Sequence, residues 1–455
     1  MRVRGRGRRD GWQDSKARMP RRLTILMMTN TYTPFVGGIE RSIKDFTAAF
    51  RRRGHRVVIV APVHAGMPRH EPDVIRIPAI RGRFRGSAFS VALPMPLGVL
   101  RTLKRLQPDL IHAHHPFLMG NTALRFARAF DAPLVYTHHV RFEEYTHYLP
   151  LDSPMAERFM AGLSIAYANL CEQVIAPSDS VAALLRAWGV RRPIAVVPTG
   201  VEISRFAHGD GAAARRAFGI PRGAFLVGHI GRLASEKNLG FLAQALALFL
   251  RAHPQAHCFI AGRGSCEDDI RRTLHRAGVA GRLHMAGILE RQQLVDCYHA
   301  MDAFAFTSKT ETQGIVLIEA MAAGVPVIAL DASGVREVVQ DGYNGRLLSS
   351  SARVEDYVRA LRWVATAAPR TRRDVGRAAK EAAKAFSLSR CAQRALALYR
   401  VVLARGRVAR APRDGAWAQA MRRMQTEWQL LRNVTHATRT ALMRLDGTAD
   451  REPQR

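Results

Sequence analysis

The segment SKTETQGIVLIEAMAAGVPVIAL, residues 308–330, sets two glutamates, Glu311 and Glu319, on either side of Gly314 with seven residues between them. Its apolar run approaches membrane-spanning length, but Glu319 would sit near the middle of such a span. Gly324-Val325-Pro326 reads as a helix stop followed by a short buried strand. The spacing therefore predicts a strand over 303–307, a loop, a helix over about 313–323 and a strand over 326–330. A helix that starts at Gly314 leaves its own N–H and those of Ile315 and Val316 free to meet an anion. Glu311 lies in the loop before it, and Glu319 lies roughly 8 Å further along at about 1.5 Å per residue. Two carboxylates flanking an anion site suit hydroxyls on the two sides of a diphosphate, ribose on one and a sugar on the other.

Two further stretches carry chemistry where a strand ends. Gly228-His229-Ile230-Gly231-Arg232-Leu233-Ala234-Ser235-Glu236-Lys237-Asn238 puts a guanidinium fork, Arg232, and a point charge, Lys237, in a strand-to-helix loop, a natural pair for a diphosphate. Their bland alternative is two solvated cations among many. Gly37-Gly38, after Thr29-Asn30-Thr31-Tyr32-Thr33-Pro34, opens a helix whose amides could approach a ligand closely, although glycine there also serves for shape alone.

The elements that must hold these residues follow from hydrophobic patterning. Apolar runs at 23–29, 55–61, 109–113, 133–137, 173–176 and 194–198 alternate with amphipathic stretches, and the alternation restarts at 225–230, 257–261, 282–286, 303–307 and 326–330. Continuous apolar strands separated by helices imply parallel sheets covered on both faces, hence two α/β domains with a cleft between them. The polar passage 206–214 reads as the linker. A helix follows over 386–400, and beyond about 405 Trp417, Met421, Met424, Trp428 and Leu431 draw one apolar stripe along a basic helix. That stripe is expected to pack on the body of the protein, with a membrane-surface helix as the alternative.

Composition bounds the rest. The chain has 455 residues, 47% of them apolar, and a net charge of +32, the balance of proteins that meet nucleic acid, anionic lipid or phosphorylated ligands. Five cysteines, Cys171, Cys258, Cys266, Cys297 and Cys391, form no CxxC and suit a reducing compartment. The basic N-terminal stretch lacks the apolar core of a signal peptide. A cytoplasmic protein is the expectation, either free or peripheral on the inner face of the membrane.

Glu311 with Glu319, Gly231-Arg232 with Glu236-Lys237-Asn238, the Gly37-Gly38 turn and Ala113-His114 together resemble the retaining glycosyltransferases of glycosyltransferase family 4, over residues 21–405. The resemblance implies the GT-B fold, α/β with two Rossmann-like domains facing across a cleft, plus a C-terminal helical extension. It implies an acceptor domain over 21–205, a nucleotide-sugar-binding domain over 206–385 and a crossover helix over 386–405, and it leaves a basic disordered tail over 1–20 and a basic amphipathic helical extension over 406–455 outside the match. By position, Arg232 and Lys237 would neutralise the leaving diphosphate, Glu319 would hold the ribose hydroxyls and Glu311 would contact the transferred sugar. Gly37 and Gly38, with the amides of Gly314, Ile315 and Val316, would touch diphosphate and sugar. His139, in Tyr136-Thr137-His138-His139, aligns with the family's active-site histidine, and His138 is its rival because adjacent side chains alternate faces. No cofactor and no metal is implied, and no Asp-x-Asp motif stands at a strand end.

Gln313-Gly314 stands where many members have Phe-Gly. With the stretch Arg141-Phe142-Glu143-Glu144-Tyr145-Thr146-His147-Tyr148-Leu149, it is similar to the diacylglycerol glucosyltransferase branch, implying UDP-glucose and a lipid acceptor at a membrane surface. The basic stretch 80–86 reads as a loop that meets a membrane, an anionic acceptor or solvent. Other classes compete. A metallohydrolase would use His112, His114, His115, His138, His139 and His147, but no HExxH or placed acidic ligand accompanies them. A nucleic-acid-binding protein explains the charge but neither the paired glutamates nor the glycine turns, and a sugar-nucleotide epimerase shares the fold.

Overall fold

Each half of the chain folds around a parallel sheet because its strands are apolar on both faces and need a helical layer on each side. A computed structural model of the chain describes residues 22–35, 37–84, 87–92, 97–140, 153–408 and 416–443. The basic tail and the stretch 141–149 lie outside the described residues.

The first half runs β1 (Thr24–Met28), α1 (Gly38–Arg52), β2 (Arg56–Pro62), β3 (Val74–Ile77), β4 (Ala79–Phe84), β5 (Ser87–Ala92) and α2 (Leu97–Leu106). It continues β6 (Leu110–Ala113), α3 (Met119–Phe130), β7 (Leu134–Thr137), α4 (Pro154–Ala168), β8 (Gln173–Ala176), α5 (Asp179–Ala187) and β9 (Ile194–Val196). Seven of these strands form one sheet in the order β3-β2-β1-β6-β7-β8-β9, all parallel.

The second half runs α6 (Gly211–Ala217), β10 (Phe225–Ile230), α7 (Leu239–Ala252), β11 (Ala256–Ala261), α8 (Glu267–Arg276), β12 (Leu283–Gly287) and α9 (Arg291–Ala300). It continues β13 (Ala303–Phe306), α10 (Ile315–Ala322), β14 (Val327–Leu330), β15 (Gly345–Leu348), α11 (Val354–Ala365) and α12 (Pro369–Ala383). Six parallel strands here take the order β12-β11-β10-β13-β14-β15. In each sheet the order reverses beside the first strand, between β1 and β6 and between β10 and β13. Helices that leave in opposite directions open a crevice at those points, at the carboxyl ends of the strands.

Two helices close the chain, α13 (Leu388–Val408) and α14 (Ala416–Met443). α13 crosses back to the first sheet, where Leu388, Cys391, Ala392, Ala395, Leu396 and Tyr399 join the core beside Ile43, Phe46 and Phe50 of α1.

Three local expectations need correction. Residues 80–84 are not loop but strand β4, antiparallel to β5, because Ile80 and its neighbours pair backbone to backbone with Val91 and its neighbours. The passage 206–214 is structured: Phe206 is fully buried in the core of the second sheet and α6 begins within it. α14 does pack on the body, against α4 and α3, but with the face opposite to the apolar stripe. Thr426, Ala437 and Ala441 are buried, whereas Met424, Trp428 and Leu431 face outward. The side chains of Trp417 and Met421 lie outside the described part of the structure.

Candidate active site in the interdomain crevice

On the first-domain side, β1 delivers the chain to a turn that ends at Gly37, the N-cap of α1. A side chain at Gly38 would begin 4.0 Å from Ile315 Cδ1, so the first turn of α1 lies directly opposite the first turn of α10. One turn along each helix, Arg41 and Glu319 form an ion pair that joins the two domains. Two helix N-termini therefore face each other, and the partial positive charge of both points into one space.

On the second-domain side, Gly314 takes the left-handed conformation (φ 71°) that lets the chain turn from the 307–313 loop into α10. As first-turn residues, Ile315 and Val316 carry N–H groups that precede any intrahelical acceptor. Glu311 accepts from Lys237 Nζ at 2.9 Å, and neither side chain is more than a fifth exposed. Burial pushes the Glu311 carboxyl up. The Lys237 ammonium and the N–H groups of Thr312 and Gly314 more than offset it, and the carboxyl is held below its ordinary value. Arg232 pairs with Glu236 and is partly open to solvent. The loop between them is pinned from below: Thr307 Oγ1 donates to Lys237 O (3.1 Å), Asn238 Nδ2 donates to Thr307 O (3.3 Å) and Thr310 Oγ1 donates to Glu236 O (3.2 Å).

Sequence reading passed over what supports that loop. After β11, Gly262 sits at φ 140°, and a Cβ there would stand 1.8 Å from Gly231 O. Gly231 N–H donates to Ala261 O and Leu233 N–H to Arg263 O, so the Ala261-Gly262-Arg263-Gly264 turn is the floor on which Arg232 rests. The signal available was a glycine pair directly after an apolar strand.

The histidines gather where β6 and β7 end. His139 Nε2 meets His114 Nδ1 at 2.9 Å, and the His139 carbonyl accepts from Thr312 Oγ1 (2.9 Å), which brings His139 to the domain boundary. His138 turns inward, with its Nδ1 3.2 Å from the Tyr136 hydroxyl. His112 lies between Thr137 Oγ1 (2.6 Å) and the Tyr399 hydroxyl (2.7 Å) of α13. Burial pushes His112 down to about 3 and His115 to about 4. Burial first, then neighbouring imidazoles, holds His114 and His139 well below the usual histidine value. These rings are neutral at pH 7. Among the described residues no three His, Cys, Asp or Glu side chains gather closely enough to hold a metal ion.

The structure thus brings Gly38, Lys237, Glu311, Gly314, Ile315 and Val316 to one crevice, with Arg232 at its rim and His139 on the opposite wall. Glu319 lies a turn deeper and is 1% exposed, held by Arg41 and by the Tyr298 hydroxyl at 2.8 Å. Burial and then the charge of Glu319 keep that phenol protonated, so it donates. Arg41 and Tyr298 carried no motif of their own, and only the folded chain reveals them. Gln313 is a further cross-domain contact: its Oε1 accepts from Thr199 N–H (2.6 Å) and its Nε2 donates to Thr199 O (2.7 Å). Ser178 Oγ donates to Thr312 O (2.9 Å) beside it.

Comparisons with known proteins agree on what this architecture is. The pattern of Glycosyltransferase Family 4 matches residues 36–205, and that of Glycosyl transferases group 1 matches residues 211–382. An alpha-monoglucosyldiacylglycerol synthase of Streptococcus pneumoniae is 27% identical over 337 residues, 71% of this chain and 75% of that protein. A D-inositol 3-phosphate glycosyltransferase of Segniliparus rotundus is 30% identical over 399 residues, 82% of this chain and 86% of that one. The crystal structure of Anabaena Alr3699/HepE in complex with UDP-glucose superposes with a TM-score of 0.65 at 22% identity, covering 83% of this chain and 99% of its own. That likeness establishes the GT-B fold.

Proposed function

Because this chain belongs to glycosyltransferase family 4, we propose that it moves glucose from UDP-glucose, with retention and without a metal ion, to the hydroxyl of a diacylglycerol-type lipid at a membrane surface. The observation that carries the reading is the opposition of the α1 and α10 N-termini, with Gly38 against Ile315 and the Lys237–Glu311 pair beside them. Such a space attracts a diphosphate through N–H groups, helix ends and a lysine, and it needs no further cation to balance the charge. The lipid acceptor is supported by the similarity to an alpha-monoglucosyldiacylglycerol synthase.

In the proposed reaction the diphosphate lies between the two helix ends, with Arg232 and Lys237 on its oxygens. Glu311 orients the sugar hydroxyls, and Glu319 takes the ribose hydroxyls in exchange for its contact with Arg41. The bond between the anomeric carbon and the β-phosphate oxygen breaks, the acceptor oxygen bonds to that carbon on the same face, and the acceptor proton passes to the departing phosphate. Charge develops on that phosphate as the bond breaks, so preorganised cations there supply the main catalytic contribution. His139 lies against the sugar and is neutral, so it positions the donor rather than balancing charge.

The test is a thermal-shift panel of UDP, GDP and their sugars, followed by product analysis with diacylglycerol in detergent micelles. A ligand that binds only the folded chain raises its melting temperature in proportion to affinity. Stabilisation by UDP and UDP-glucose, and an α-linked glucosyl lipid formed in the presence of a chelator, is the expected result. Stabilisation by guanosine compounds alone, or an inverted product, would overturn donor or stereochemistry respectively.

A further inference from the structure

α14 has two apolar faces, and the fold uses one of them. Thr426, Leu430, Ala437 and Ala441 face α4 and α3, where Gly162 lets the Ala437 backbone come close and Arg125 holds Glu427 through two bonds of 2.6 and 2.8 Å. Met424, Trp428, Leu431 and Val434 are 63, 64, 61 and 48% exposed. At 100° per residue Met424, Trp428 and Leu431 point about 140° away from the packed face, with Val434 at the border between the two, and together they extend for about 15 Å along the helix. A helix held this firmly on one side, with a tryptophan, a leucine and a methionine aligned on its free side, is built to present them.

The charge around the stripe chooses what covers it. α14 carries Arg422, Arg423, Arg432 and Arg439 against a single acid, Glu427, and that carboxylate is taken by Arg125. Two copies meeting stripe to stripe would set two helices of the same net positive charge against each other, whereas an anionic lipid surface attracts that charge and admits the apolar side chains between its headgroups. Tryptophan favours that depth, with its ring among acyl chains and its N–H in the headgroup layer. No helix among the described residues is long and apolar enough to cross a bilayer, so the contact is with the surface. α3 and α4 start where the chain leaves His115 and the segment after His139. A membrane against α14 therefore lies on the first-domain side of the molecule, with α14 between it and the helices α3 and α4.

We propose that the Met424-Trp428-Leu431-Val434 face of α14 docks this protein on anionic membranes. The inference rests on the reading that the acceptor is a membrane lipid, and it assigns the surface that brings enzyme and acceptor together. The test is co-sedimentation of the full chain with vesicles of phosphatidylcholine alone and of equal parts phosphatidylcholine and phosphatidylglycerol, for wild type and for Trp428→Glu/Leu431→Glu. The double variant changes only exposed side chains, and an unaltered melting temperature verifies its fold. Wild type binds the anionic vesicles, binding weakens as salt rises, and the double variant partitions at least about tenfold less. A blue shift of tryptophan emission on binding, lost in Trp428→Phe, locates the inserted ring. Equal binding of variant and wild type, or no binding by wild type, overturns the proposal. So does a lipid-free dimer that the double variant dissolves, which would make a second copy the occupant. Turnover of UDP-glucose on micellar diacylglycerol separates the two readings. Docking lost with transfer retained in both proteins sinks only the membrane face, and docking retained with no transfer sinks only the glucosyltransferase reading.

Discussion

Lys237→Ala should remove two things that are separable by pH. The lysine is one half of an ion pair with Glu311 in which neither partner is more than a fifth exposed. Breaking a fully buried pair costs roughly 3–5 kcal/mol; the partial access of water here reduces that to about 2 kcal/mol. For a domain of this size the melting temperature should fall by roughly 4–8 °C at pH 7. The sign of the pH dependence follows from Glu311. In the wild type its carboxyl is held below the ordinary value, so its stabilisation is present above the unfolded value and is lost as pH falls through the folded one. In the variant burial acts without the lysine and raises that carboxyl. The gap in melting temperature between the two proteins should therefore be full at pH 7, narrow as pH falls through the raised value of the variant, and close as it falls through the lowered value of the wild type. Lys237→Ala/Glu311→Gln should recover most of the stability, because no uncompensated charge is left. Turnover should not recover. Losing one charge on the departing phosphate costs about 100-fold or more in kcat, on the order of 3 kcal/mol in the transition state, in the single and double variants alike. Initial rates with UDP-glucose at pH 7 and melting curves from about pH 2.5 to 8 measure both. A pH-independent gap would refute the ion-pair argument, and near-normal turnover in a folded variant would refute the role in phosphate stabilisation.

Other perturbations read other parts of the site. Gly38→Leu fills the space opposite Ile315, so it should abolish the thermal shift caused by UDP while leaving the unliganded melting temperature within about 2 °C; a normal ligand shift would remove the diphosphate from between α1 and α10. Gln313→Ala strands the buried N–H and C=O of Thr199 and should cost roughly 2–4 kcal/mol in chemical denaturation, a larger loss than Gln313→Glu, which keeps the bond from Thr199 N–H. His112, His114, His115 and His139 are neutral when folded, with values lowered chiefly by burial, so each stabilises above the unfolded value near 6.5 and loses that contribution as pH falls. Stability should then drop between pH 6.5 and 4.5 at up to about 1.4 kcal/mol per pH unit per histidine, while kcat shows no imidazole limb near 6.5; a limb there would give His139 a charged role.

How far the sequence reaches depends on whether a feature is written in consecutive residues or in the fold. The two sheets were legible because buried parallel strands are short unbroken apolar runs, and 225–230 coincides with β10. The paired glutamates stood out for the same reason, as charges inside such a run. β4 was not legible, since Arg81 and Arg83 alternate with Ile80 and Gly82 in a pattern shared by a solvated loop and an exposed hairpin. Arg41 was hidden among 69 basic residues, and its distinction is only that α1 aims it at Glu319. Met424, Trp428 and Leu431 of the α14 stripe do share one face, but periodicity cannot say whether a face is covered. Small residues decided that: Ala437 admits close packing against Gly162, Ala441 is likewise buried, and Met424, Trp428 and Leu431 go to the far side.

The Arg41–Glu319 pair also ties donor binding to the relation between the domains. Glu319 is buried and already engaged, so a ribose that bonds to it must displace Arg41 or share it. Arg41 stands one turn from Gly38 on the helix that faces the diphosphate, and the released guanidinium would lie within reach of the anion that replaced its partner. On the proposed donor pose, entry would exchange one interdomain ion pair for another bridged by the ligand, at little net electrostatic cost. Arg41→Ala should therefore weaken UDP binding despite Arg41 lying in the other domain, and Arg41→Lys, which keeps charge but loses the fork, should weaken it less. Calorimetric titration with UDP measures this. Unchanged affinity in Arg41→Ala would mean that the pair holds the domains together and takes no part in receiving the donor.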